Sequence, residues 1–378
     1  MSWHDYTLGD VVKLQRGHDL PDRVRVDGPV PVVSSSGITG RHNVAKANPP
    51  GVVTGRYGTI GEVFYVEEPY WPLNTALYVV DFKGNDPRFV AYLLRRTLRN
   101  YQSQKAAVPG VDRNVLHLLK VRAPDRATQA SIVAVLAAYD DLIENNRKRI
   151  ALLEEAVRLL YREWFVYLRF PGHEHVMVVD GVPEGWEQHY LADVVTTQYG
   201  HTASAEDEPV GPKFLRGTDI NKRTFIDWSA VPHCPEQGLD FDKYALHKGD
   251  ILVIRMADPG KVALVEKPVR AVFASYLVRL QVRDPEAIPP LFLFQTLLDD
   301  RYQGFIGSAS SGATRKTASA VLLTDFHFAL PPRFLLSLYV EQVQPLRDMI
   351  TKLVDQSTRA AEARELLLPR LMNGDLAV

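Results

Sequence analysis

The chain has 378 residues, 46% of them apolar, with 44 basic and 45 acidic side chains and a formal net charge of −1. Such a length suits two or three domains with ordinary cores, while the neutral balance argues against a free-standing nucleic-acid binder unless basic residues cluster or partners share the grip. One cysteine, Cys234, excludes an internal disulfide framework and a Cys-based metal cluster. No apolar run is long enough to span a bilayer, and the opening MSWHDYTLGD lacks the features of a signal peptide. A cytoplasmic location is therefore expected.

In chain order, the first element is echoed later. WHDYTLGDVV at residues 3–12 returns as WEQHYLADVV at 186–195, with Trp3, Leu8, Asp10, Val11 and Val12 matched by Trp186, Leu191, Asp193, Val194 and Val195. The next element, GVVTGRYGTIGEVFYV at 51–66, has a partner in GDILVIRMADPGKVALV at 249–265, aligning Arg56 with Arg255 and Gly61 with Gly260. NTALYVV (74–80) matches ASYLVRL (274–280) as an alternating strand, and PRFVAYLL (87–94) matches PLFLFQTLL (290–298) as a proline-led helix. LHLLKVRAP (116–124) pairs with LLTDFHFALP (322–331). The order is kept throughout, so the halves are duplicates with diverged loops.

Each half closes on a long helix. Residues 127–165 contain no Gly or Pro. Heptad spacing puts Leu136, Ile143, Ile150, Val157 and Trp164 in one row and Tyr139, Asn146, Leu153 and Leu160 in the other, which is a coiled-coil seam with one polar position. The second helix, from about 334 to 371, has Leu346, Leu353, Ala360 and Leu367 in one row and Met349 and Ala363 in the other, with Pro345 expected to kink it or restart it. The expected fold is α+β: two duplicated globular domains, each followed by a long helix, the helices pairing as an antiparallel coiled coil with pseudo-two-fold symmetry. The boundaries fall at 1–125 (first domain), 126–168 (first helix), 169–332 (linker and second domain) and 333–378 (second helix). The stretch FPGHEHVMVVDGVPEGW, 170–186, reads as the linker between halves.

TGRYGTIG is not a nucleotide loop. Its G-x-x-G-x-x-G spacing differs from the dinucleotide and P-loop fingerprints, and the strand-like EVFYVEE follows where those need a helix N-terminus. Its glycines suit a hairpin turn, but only a macromolecular contact explains why the arginine recurs. Other motifs are weaker. Asn48-Pro49-Pro50 resembles a methyltransferase base-holding motif but has Gly51 where an aromatic is needed, and reads as a turn. His173-Glu174-His175 offers too few ligands for a metal, Asp81-Phe82-Lys83 is half of a nuclease motif, and Cys234 has no reactive companion. GSASSGATRKT at 307–317 and QKAAVPGVDRN at 104–114 look like contact loops, as do the matching segments Ser34–Gly37 and Arg216–Asp219, because such side chains are donors to phosphates and base edges.

At this point the chain resembles a family, the specificity (S) subunits of Type I restriction–modification systems. The resemblance spans nearly the whole length. It rests on the duplicated W-x-x-x-x-L-x-D-V-V opening, the arginine loops, the helix entry TQASIVAVLAAYDDLIENN, the helix end LYREWF, the linker GHE…DGVPEGW and the terminal LLLPRLMNGDL. It implies two target-recognition domains, each reading one half of a split, asymmetric sequence in double-stranded DNA. It implies spacer helices that set the gap and dock two methyltransferase (modification) subunits, with restriction/translocase subunits joining them and no membrane involved. The subunit itself is implied to be non-catalytic and to bind no cofactor or metal, S-adenosylmethionine, ATP and Mg²⁺ being expected on partner subunits. Carried over by loop position, the DNA contacts are Ser35, Arg56, Tyr57, Thr59, Lys105, Arg113 and Asn114 in the first domain and Arg216, Thr218, Arg255, Thr314, Arg315 and Lys316 in the second. The docking and spacer seam is Ile143, Ile150, Leu153, Val157, Leu160 and Trp164 with Leu346, Leu353 and Leu367. A coiled-coil interaction scaffold without a DNA role, or a solitary DNA-modifying enzyme, would be the alternatives.

Overall fold

A computed structural model describes residues 2–56, 61–99, 111–309 and 317–378. The chain divides into two compact units, Met1–Glu144 with Arg359–Val378, and Asn145–Thr358.

The first unit begins with β1 (Trp3–Thr7), α1 (Leu8–Val11) and β2 (Lys13–Arg16). The Thr7 N–H and hydroxyl both donate to Asp10 Oδ2, at 2.9 and 2.6 Å, which caps α1 and turns the chain sharply into β2. There follow β3 (Val30–Ser34), β4 (Gly37–His42), β5 (Gly51–Gly55), β6 (Val63–Val66), β7 (Trp71–Pro72) and β8 (Ala76–Asp81), then α2 (Pro87–Arg99), α3 (Arg113–His117) and β9 (Lys120–Pro124). Four strands form a sheet in the order β2-β8-β5-β6, three form β4-β3-β7, and β9 returns antiparallel to β1. The apolar side of α2, Phe89, Val90, Leu93, Leu94 and Leu98, packs on the four-stranded sheet together with Ile132 and Leu136 of α4 (Arg126–Tyr161). That helix starts where Asp125 accepts from the Thr128 N–H at 3.0 Å.

The second unit repeats this plan. A small hairpin, β10 (Val178–Val179) and β11 (Val182–Pro183), precedes β12 (Glu187–Tyr190), α5 (Leu191–Val194), β13 (Val195–Tyr199), β14 (Lys213–Leu215), α6 (Gly217–Ile220) and α7 (Phe241–Tyr244). After these come β15 (Ile251–Ile254), β16 (Val262–Leu264), β17 (Ala271–Phe273), β18 (Leu277–Val282), α8 (Pro290–Leu298), α9 (Asp300–Ala309), α10 (Ala320–Thr324), β19 (His327–Leu330) and α11 (Arg333–Asn373). The sheets are β13-β18-β15-β16, β14-β17 and β12-β19, the counterparts of those in the first unit. One alignment needs correcting by a residue. The Asn74 N–H donates to the His18 carbonyl as the Ser275 N–H does to His201, so Asn74 corresponds to Ser275 and not Ala274. In a strand that slip would exchange inward and outward side chains.

The long helices run antiparallel within each unit. In the first, Ile132 and Leu136 share a core with Leu368, Leu371 and Met372, and Arg364 pairs with Asp140. In the second, Ile150 packs with Ile350, Leu353 and Val354, and Trp164 lies 5.9 Å from Tyr339 between ring centres. In α4, Ile150 and Val157 are buried, as is Trp164 just past its end, with Ile143, Leu153 and Leu160 half-buried beside them along the heptad rows. In α11 the row through Leu346, Leu353, Ala360 and Leu367 is inward as the heptads indicate, and the row through Met349 is not. Leu353 is buried and Leu346 and Leu367 are half-buried, but Met349 is 39% exposed, and the other inward line is Tyr339, Val343, Ile350 and Val354. Full burial of such side chains contributes about 1.5–3 kcal/mol each, which sets the helix rotation. Pro345 neither stops nor restarts α11, which is unbroken from Arg333 to Asn373. The linker is anchored at its ends, where Phe170 and Trp186 are buried with ring centres 5.4 Å apart. Among the described residues no helix is long and apolar enough to cross a membrane.

Candidate nucleic-acid interface

The two arginines picked out by the repeat are held in the same way. The β5–β6 hairpin pairs Thr54 with Val63 and Gly51 with Val66, so the strands are antiparallel around a turn. Arg56 follows β5; its N–H donates to the Thr75 carbonyl at 2.9 Å and its carbonyl accepts from the Val111 N–H at 2.8 Å. In the second unit the Arg255 N–H donates to Tyr276 at 3.0 Å and its carbonyl accepts from Ala318 at 2.8 Å. Each arginine is therefore clasped between the turn that enters β8 or β18 and the segment that enters α3 or α10. Gly61 and Gly260 close the two turns with φ of +97° and +93°, a left-handed backbone that suits glycine.

Around Arg255 the side chains are ordered by stacking. Its guanidinium lies 4.9 Å from the Tyr199 ring, whose hydroxyl accepts from the Ala320 N–H at 2.9 Å. Arg216 and Thr218 sit at the entry to α6, the position that Ser34 and Ser36 occupy after β3: the Ala274 N–H donates to the Leu215 carbonyl as that of Leu73 does to Val33. Arg216 forks onto Asp219, with Nε at 3.1 Å and Nη2 at 2.9 Å, and this pairing raises its pKa. Two of that guanidinium's five donors are thus held by Asp219, which orients the group and leaves Thr218 the exposed donor of the segment. In the first unit, Ser35 is half-exposed at the β3–β4 turn, and Arg113 and Asn114 are exposed in the first turn of α3, where Asp112 accepts from the Asn114 N–H at 2.8 Å. Tyr57, Thr59, Lys105, Thr314, Arg315 and Lys316 lie outside the described residues.

The structure adds a pair that the sequence reading passed over. Gly17-His18 and Gly200-His201 fall at the same offset as the opening repeat, and that spacing was the available signal. A Cβ on Gly17 would meet the Leu73 carbonyl oxygen at 2.1 Å and one on Gly200 the Ala274 oxygen at 2.3 Å. Only glycine lets these chains approach the strand-entry turns, and the histidines that follow stand beside them. His18 Nε2 is 3.2 Å from the Tyr78 hydroxyl, and the His201 ring centre is 5.2 Å from that of Tyr244. Elsewhere, Cys234 is buried, which pushes its thiol pKa up, and His173, Glu174 and His175 are exposed. Among the described residues no group of three His, Cys, Asp or Glu side chains is placed to hold a metal.

Each recognition unit is also locked to a long helix. In the second, Arg347 of α11 is 1% exposed and forks onto Glu266 at 2.8 and 2.7 Å. In the first, Glu67 after β6 accepts from Arg88 at 2.9 Å, and Arg88 reaches Asp141 of α4 at 3.0 Å. Glu67 and Glu266 follow Val66 and Val265, so the same position serves both locks.

Residues 1–155 match the family model described as the Type I restriction modification DNA specificity domain. The chain is 24% identical over 332 residues to the Type I restriction enzyme MjaIX specificity subunit of Methanocaldococcus jannaschii, covering 84% of this chain and 76% of that one. It is 21% identical over 342 residues to the HindI specificity subunit of Haemophilus influenzae, covering 73% of each. A crystal structure of the Type I restriction–modification S subunit from M. genitalium superposes with a TM-score of 0.60 at 14% identity, over 98% of this chain and 96% of that one, and shows the same fold. The duplicated α/β unit with its long helices, together with the family match over residues 1–155, makes the chain similar to DNA specificity proteins of the restriction–modification class. Within that class the likenesses are to specificity subunits of Type I systems, which are non-catalytic.

Proposed function

We propose that this subunit reads a bipartite, asymmetric DNA target, one half-site through each unit, and serves as the scaffold for the modification and restriction subunits. The observation that carries it is the identical clasp on Arg56 and Arg255 in two copies of one fold. A duplicated reader with diverged loops suits two different half-sites, and long antiparallel helices suit a fixed gap. In this reading the long helices dock two methyltransferase subunits, and restriction subunits join that assembly in the cytoplasm. S-adenosylmethionine, ATP and Mg²⁺ are held by the partners, and Arg113, Asn114 and Thr218 supply donors to phosphates or base edges. The near-neutral charge fits a reader whose hold on DNA is shared.

The test is methylome sequencing of cells expressing the chain with its methyltransferase partner. Arg56→Ala is expected to degrade one half of the methylated motif and Arg315→Ala the other. Loss of the same half by both variants would sink the two-reader model, and an intact complex that leaves no DNA footprint would favour a pure interaction scaffold.

A further inference from the structure

The start of α6, with Arg216 and Thr218, and the loop after Arg255, far apart in sequence, converge on one cavity of the second unit with a volume of about 420 Å³. It opens between the start of α6, the Met256–Asp258 loop after β15 and the turn that enters β18. Phe214 and Ile254, both 2% exposed, give it an apolar lining, and the exposed Tyr276 stands among the residues around it. Asn221, at the end of α6, also lines it, and the Oδ1 of that side chain is buried with no hydrogen-bond partner. A buried acceptor left unmet is costly, and in a binding site the ligand supplies the missing donor.

We propose that this cavity receives a nucleobase extruded from the duplex in the half-site that the second unit reads; the proposal rests on the DNA-recognition reading above. Size decides between extrusion and groove reading. The methyl or edge of a stacked base would leave most of the space empty, whereas small planar ligands occupy apolar pockets of roughly 300–1,000 Å³. Extruded bases are held between apolar or aromatic side chains and read along their pairing edge. Here Ile254, Met256 and Tyr276 offer the apolar surface, and the Asn221 side-chain oxygen favours a base that presents an exocyclic amino group on its pairing edge, adenine, cytosine or guanine, over thymine.

The experiment uses the complex with the methyltransferase partner and DNA carrying a fluorescent base analogue at one position of the second half-site at a time. One position, besides the base that the partner modifies, should brighten on binding, since its base leaves the stack. Ala205→Trp fills the cavity from an exposed loop and should abolish that signal while the signal at the modified base persists. Asn221→Leu should remove the preference for an amino-bearing base at the same position. If no further position brightens, or if Ala205→Trp leaves every signal unchanged, extrusion into this cavity is refuted. Footprints of the same wild-type samples separate the two readings: protection of both half-sites without a second bright position overturns only the cavity, whereas no protection overturns DNA recognition itself.

Discussion

Replacing Arg347 by methionine keeps its apolar stem and removes every donor of its guanidinium. In the native chain that group sits 1% exposed, 5.3 Å from the Phe294 ring centre, holding both Glu266 oxygens and the Thr224 carbonyl, the last at 3.0 Å. Arg347→Met leaves the Glu266 carboxylate nearly buried and unpaired, and breaking a buried pair from one side costs about 3–5 kcal/mol. In a unit of 150–250 residues each kcal/mol lowers Tm by about 2–4 °C, so a fall of roughly 6–20 °C is expected. The measurement is urea and thermal unfolding of the whole chain followed by tryptophan fluorescence. Arg347→Met with Glu266→Leu should recover most of the loss, since no charge is then left alone. A loss below about 1 kcal/mol for the single variant, or a double variant no better than the single one, would refute this account of the lock.

Asn146 is fully buried on α4 and donates to Gln356 and Ser357 at 3.0 and 3.2 Å, while its Oδ1 has no partner. Asn146→Leu should raise stability by about 1 kcal/mol and loosen the helix register, as seen in broadened spin-label distances between α4 and α11; unchanged distances would argue against a register role. Gly200→Ala should cost more than about 2 kcal/mol in urea unfolding, because its Cβ would lie 2.3 Å from the Ala274 oxygen, and a neutral result would mean that the strand-entry turn yields freely. Asp125 accepts from the Thr128 and Ser2 N–H groups, which hold its pKa down at about 2. A depressed folded pKa means that its support for α4 is present above about pH 4 and is lost as the pH falls toward 2. Asp125→Asn should flatten that part of the stability profile, and an unchanged acid limb would show that the cap is not made in solution.

The sequence by itself determined the duplication, the antiparallel hairpins, both long helices and the arginine pair, because each is written in local periodicity or in a repeated string. The solvent-exposed side of α11 could not be fixed that way. Heptad counting alone put Met349 inward, whereas Ile350 and the charged Arg347 are the residues buried. A charge goes inside only where a distant partner waits, and Glu266 comes from another element. Pro345 does not restart the helix as one of the two expectations had it, because tertiary packing along α11 overrides local propensity. The glycine–histidine pairs were visible as spacing but meaningless without the strand-entry turns that leave no room for a Cβ. The same limit applies to the candidate interface. Arg216, Thr218 and Arg255 were readable as donors one by one, but only folding brings the start of α6 and the loop after Arg255 around a single cavity, because that convergence depends on strand order and not on distance along the chain.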